Sequence, residues 1–179
     1  MMPDVFPIPA SVPSKPGQSL SPADAADDLT YTRILVPIDF SESSKKSTSY
    51  AARFASRYNA TLLLVHVFGS GYALTGDEDM KPSSELLKSQ AAAAEQAAQA
   101  NLAVIENQLR NRGIKTEAHH RSGCPFDEIV KIANLLKVDL IIIGSHGRTG
   151  LSRLLLGSVA ERVVEHAQCP VLVLKQRRH

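Results

Sequence analysis

Short apolar runs alternate with amphipathic stretches along most of this chain. Ile34-Leu35-Val36-Pro37-Ile38 ends at Asp39, and residues 61–68 (TLLLVHVF), 138–143 (VDLIII) and 171–174 (VLVL) follow the same style. Continuous runs rich in branched residues mark strands buried on both faces. Residues 114–121 alternate imperfectly and are expected to be a strand as well. Between these runs, residues 42–58 place Tyr50, Ala51, Phe54, Ala55 and Tyr58 at helical spacing. Residues 84–112 are rich in Ala, Gln, Glu and Leu, strong helix formers, with Gly113 placed to cap the end. Pro125 opens another helix with Asp127 and Glu128 in its first turn, and residues 154–167 make a fourth. The order β-α-β-α-β-α-β-α-β predicts an α/β fold, an open five-stranded parallel sheet with helices on both faces.

Residues 1–30 break this rhythm. Prolines at positions 3, 7, 9, 13, 16 and 22 exclude helix and central strand, so they are read as a flexible N-terminal extension to a domain over 31–179. A length of 179 residues suits one domain. No apolar stretch approaches a membrane span, and no secretory leader is expected, which makes the cytoplasm the default compartment. Lys and Arg number 20 against 18 Asp and Glu, and only Lys175, Arg177 and Arg178 cluster, so no nucleic-acid partner is expected. Two cysteines are too few for a disulfide scaffold or a zinc site. Cys124 at a helix start is read as a turn residue, with an activated thiol as the alternative, and Cys169 as core packing.

The richest candidate chemistry is the segment from Gly144 to Ser158, directly after a buried strand. Glycines let main-chain N–H groups approach phosphate oxygens, and a helix starting near Gly157 adds unpaired N–H groups and a positive dipole end. Ser145, Thr149 and Ser158 supply hydroxyls and Arg148 supplies charge. Taken alone, such a loop is equally a tight turn. Ser158-Val159-Ala160-Glu161 also fits a capping box, a competing task for Ser158.

The spacing Gly144-x2-Gly147-x9-Gly157-Ser158 resembles the nucleotide signature of universal stress proteins that bind ATP. So do Arg33 to Asp39 followed by Phe40-Ser41-Glu42-Ser43, Leu64-Val65-His66-Val67, Gly123-x4-Glu128-Ile129-Val130, and Cys169 to Val173. The resemblance covers about residues 32–175. It implies a Rossmann-like sheet of order 3-2-1-4-5, similar to adenine nucleotide α-hydrolases. It further implies ATP, with Mg2+ bridging its phosphates, at Pro37, Ile38, Asp39, Val67, Gly144, Ser145, His146, Gly147, Arg148, Gly157, Ser158 and Val159. In that assignment Asp39 reaches the ribose or the metal–phosphate region, or simply caps the next helix. Val67 reads adenine through its main chain, and His146 touches phosphate or is solvated. His66 is expected to be a hydrogen-bonded packing residue. The order 3-2-1-4-5 makes strands 1 and 4 neighbours where the order reverses, so the loops after them face one crevice.

Family members commonly dimerise through the last strand, so the resemblance implies a homodimer through residues 171–174. It also implies a regulatory or stress-response module. No catalytic residues are assigned. The chain has neither a His-x-Gly-His nor a Gly-x4-Gly-Lys-Ser/Thr motif, so little hydrolysis is expected. The alternatives are a nucleotide-free dimeric scaffold and a weak ATPase or nucleotidyl-transfer enzyme.

Overall fold

The computed structural model describes residues 30–69, 85–145 and 156–175. Residues 1–29, 70–84, 146–155 and 176–179, and with them His146, Gly147 and Arg148, lie outside the described residues.

Five strands, β1 (Arg33–Pro37), β2 (Thr61–Phe68), β3 (Thr116–Ser122), β4 (Leu140–Gly144) and β5 (Val171–Leu174), form one sheet of order β3-β2-β1-β4-β5. Every neighbouring pair is parallel. Four helices, α1 (Glu42–Tyr58), α2 (Glu85–Asn111), α3 (Pro125–Leu135) and α4 (Ser158–His166), make the crossovers. The fold class and strand order are those expected.

Successive strand residues point to opposite faces, which builds two cores. Ile34, Val36, Leu62, Leu64 and Ile142 face Ala51, Ala52 and Ala55 of α1 and Leu102 and Leu109 of α2. Leu35, Leu63, Val65, Ile141 and Ile143 face Ile129, Ile132 and Ala133 of α3 and Ala160 and Val163 of α4. Ile34, Leu35, Leu62, Leu64, Ile141 and Ile142 are fully buried. Each stabilises the fold by roughly 1.5–3 kcal/mol through apolar burial. This two-faced burial explains why the strands read as unbroken apolar runs.

The helix ends follow local chemistry. Pro125 stands at the start of α3, as expected, because its missing N–H would have no partner there. Gly113, at φ 80°, turns the chain out of α2 and donates its N–H to the Arg110 carbonyl. The fourth helix differs from its sequence-based span: Leu156 and Gly157 precede it, and it begins at Ser158. Gly157 is its N-cap, so Ser158 is the first helical residue and the proposed capping box does not form.

Candidate functional site

The order reverses between β1 and β4, so the chain leaves these two strands in opposite directions and a crevice opens beyond their carboxyl ends. On the β1 side, Ile38 donates its N–H to the Val65 carbonyl at 2.7 Å. Its own carbonyl is 2.6 Å from Nδ1 of buried His66. His66 is therefore tied to the tip of β1, as expected of a hydrogen-bonded core histidine. Phe40 follows in the left-handed region, φ 64°, with its ring 4.7 Å from that of His66. A non-glycine residue held there costs on the order of 1 kcal/mol.

Asp39 organises the start of α1. Its Oδ1 accepts from the Ser41 N–H at 3.0 Å and the Ser41 hydroxyl at 2.6 Å. Ser41 is the N-cap, and its Oγ accepts from the Ser44 N–H at 3.2 Å. Asp39 thus holds the capping residue in place rather than capping the helix itself.

On the β4 side, Gly144 touches α1. A Cβ on Gly144 would lie 2.2 Å from Ser43 Oγ and 3.3 Å from the Ser43 carbonyl carbon. The glycine is required here by the approach of a helix, whatever else it serves. Ser145 is 2% exposed and its main chain is engaged on both sides. Its N–H donates to the Leu174 carbonyl at 3.0 Å, and its carbonyl accepts from the Gly157 N–H at 2.8 Å. That last bond ties the start of α4 to the end of β4. The main-chain amides of Ser145 and Gly157, two of those expected to face a phosphate, are therefore spent within the protein. Ser158 is exposed and Val159 half-buried in the first turn of α4. First-turn amides have no acceptor within their own helix. Gly157 has φ −65° and ψ 145°, a conformation open to any residue, so backbone geometry does not demand a glycine there.

Val67 completes the crevice. The β1–β2 ladder ends at Pro37 opposite Val65, whereas β2 continues to Phe68. In a parallel strand, alternate residues direct both main-chain groups to the same neighbour. The Val65 carbonyl faces β1, while Leu62 and Phe68 bond toward β3 through their N–H and carbonyl respectively. The N–H and C=O of Val67 therefore face the space beyond the tip of β1.

Sequence reading quoted Ser41 and Ser43 only within a resembling run and gave them no role, and it missed the left-handed turn at Phe40. A serine just ahead of a helix is a legible capping signal, but nothing local marks the other two. Gly123 is explained in turn: at φ 144° it lies under Glu128, whose Cγ would be 3.1 Å from an added Cβ. Cys124 is the N-cap of α3, with no side-chain capping bond. Cys169 is half-buried, and burial, reinforced by the Asp139 charge, pushes its thiol pKa up. A separate depression of about 300 Å³, lined by Lys45, Lys46, Ser49, Tyr50 and Arg53, lies along α1 and includes none of the expected site residues. Among the described residues, no cluster of three or more His, Cys, Asp or Glu could hold a metal, and no helix is long and apolar enough to cross a membrane.

Comparison with known proteins places this geometry in context. The family model of the universal stress protein family matches residues 30–175. Universal stress protein MJ0531 of Methanocaldococcus jannaschii is 35% identical over 148 residues, covering 82% of this chain and 83% of its own. MJ0577 of the same organism is 33% identical over 158 residues, covering 83% of this chain and 98% of its own. The solved structure of MJ0577 superposes with a TM-score of 0.71 at 32% identity, over 84% of this chain and 100% of that one. A universal stress protein from Archaeoglobus fulgidus, solved in complex with dAMP, shares the fold at a TM-score of 0.54 and 23% identity, over 81% of this chain and 98% of that one.

Proposed function

The chain belongs to the universal stress protein family, and from that premise we propose that it binds ATP in the crevice between the ends of β1 and β4. The observation that carries this reading is the main chain of Val67, whose donor and acceptor face that crevice beyond the last rung of the β1 ladder. A donor and an acceptor on one residue match the edge of an adenine ring. The Asp39 carboxylate then suits the ribose hydroxyls. The triphosphate runs toward Gly144 and the segment of His146, Gly147 and Arg148 that follows it in the chain, with Gly157, Ser158 and Val159 at its far side. Because the Ser145 and Gly157 amides are already bonded, phosphate binding falls to the first turn of α4, where Ser158 is exposed, and to that segment. A glycine at 157, where the backbone would admit other residues, leaves room for the close approach of a ligand. The fold itself accommodates an adenine nucleotide in the Archaeoglobus relative.

Asp39 places a carboxylate beside this path, and its Oδ1 is engaged by Ser41. One carboxylate plus phosphate oxygens and water suits Mg2+, which rarely takes an all-protein cage. We read the protein as a cytoplasmic regulatory or stress-response module with little intrinsic hydrolysis. In this reading residues 31–179 form the domain and pair through the β5 edge into a homodimer, while residues 1–30 are an appended extension. The spent amides favour one second reading, a nucleotide-free dimeric scaffold.

Thermal unfolding of the full chain separates the two. MgATP at ~100 times its dissociation constant adds about 2.7 kcal/mol of stability, and Gly157→Leu abolishes that gain. A melting temperature indifferent to MgATP would leave the scaffold.

A further inference from the structure

Four buried hydroxyls line the inner face of α1: Ser43, Ser44, Ser47 and Thr48. Three bond back to the main chain, Ser44 to the Ser41 carbonyl, Ser47 to the Ser43 carbonyl and Thr48 to the Ser44 carbonyl, at 2.8–3.0 Å. Ser43 does not. It is 3% exposed, and its Oγ has no partner among the described residues. Its i−4 carbonyl belongs to Asp39, before the helix begins, so the back-bond available one turn later is not open to it. Leaving a buried hydroxyl unpaired is unfavourable, and such groups usually have a partner.

The hydroxyl is directed at the end of β4, against Gly144, in the second position of a 17-residue helix whose N-terminus meets the crevice. The dipole of that terminus and the first-turn amides favour an anionic ligand there. Asp39 meets the capping residue on the β1 side, while Ser43 lies on the β4 side, where the phosphates run in the reading above. We propose that Ser43 is a ligand-binding residue of this site, its hydroxyl donating to a phosphate oxygen of the bound nucleotide; this rests on the nucleotide reading and adds a residue from outside the glycine signature.

The test compares full-length wild type, Ser43→Ala and near-isosteric Ser43→Cys by calorimetric titration with MgATP and with adenosine, alongside unliganded melting curves. Both variants are expected to bind MgATP about tenfold more weakly, and adenosine as wild type does. Their unliganded melting temperatures should be unchanged or higher, because no bond is lost. Wild-type affinity for MgATP in the variants would overturn the assignment and leave the nucleotide reading intact. Equal weakening toward ATP and adenosine, or lower unliganded stability of Ser43→Cys, would overturn it in favour of a packing role. A wild-type protein that binds no MgATP would remove the nucleotide reading and this residue with it.

Discussion

The two ends of the sheet are built to different standards. At the amino ends of the strands, Asp139 accepts from the Thr32 N–H and the Thr32 hydroxyl, both at 2.7 Å, and from the Arg33 N–H at 3.1–3.2 Å. It returns its own N–H to the Arg33 carbonyl, and Arg33 Nη1 donates to the Leu136 carbonyl at 2.6 Å. One side chain thus staples β1 to the start of β4. At the carboxyl ends, by contrast, Phe40 is held in a costly conformation, Ser43 is unpaired among the described residues, and α4 starts on a glycine with no side-chain cap. The closed end fits a fastening. The open end fits a place where a ligand supplies what the protein leaves undone, since strain and unsatisfied groups gather at functional sites.

That contrast can be broken experimentally. The largest effect is expected at the tightest contact, where Gly144→Val drives a branched side chain into Ser43 and costs about 3 kcal/mol by urea unfolding. Gly144→Ala should cost less, and Ser43→Gly in the same chain should recover part of that loss, which a double-mutant cycle reads directly. Next, Asp139→Ala removes the staple and should cost about 2 kcal/mol while leaving MgATP affinity untouched. A matching loss of affinity would show that the two ends are not independent. Ser41→Ala removes the N-cap of α1 and should cost about 1 kcal/mol, but here MgATP affinity should fall too, because Asp39 loses the hydroxyl that orients it.

The smallest effect concerns Cys169 at the closed end. With its thiol pKa raised, alkylation at pH 8 should be slower than for free cysteine, and Asp139→Ala should speed it by removing the neighbouring negative charge. The sign for stability follows. The unfolded thiol ionises near about pH 8.5, so the contribution of the neutral folded thiol is fully present below that value. It is lost as pH rises through the higher folded one.

Much of the fold was legible because strand burial on two faces writes itself as apolar runs: β1, β2, β4 and β5 each carry one. β3 was harder, its residues ranging from buried Thr116 to exposed Arg121 and Ser122, and its span lies slightly later than the pattern suggested. The start of α4 was misjudged because Leu154-Leu155-Leu156 extends an apolar periodicity that the helix does not follow at Leu156. At the candidate site, the placement of Asp39 after β1 and of Gly144 at the end of β4 was readable, and so was His66 as a hydrogen-bonded packing residue. The contact of Ser43 with Gly144 was not, because it joins helix and strand segments far apart in sequence. Nor was the spending of the Ser145 and Gly157 amides, which depends on partners in β5 and β4 that no local motif encodes.

The turn at Phe40 has one consequence for how a ligand would be received. With its ring against His66, and His66 fastened to the Ile38 carbonyl, the joint between β1 and α1 has surrendered its freedom during folding. A molecule arriving there meets a finished wall rather than a loop to be ordered, so association at this joint carries little entropic penalty from the chain.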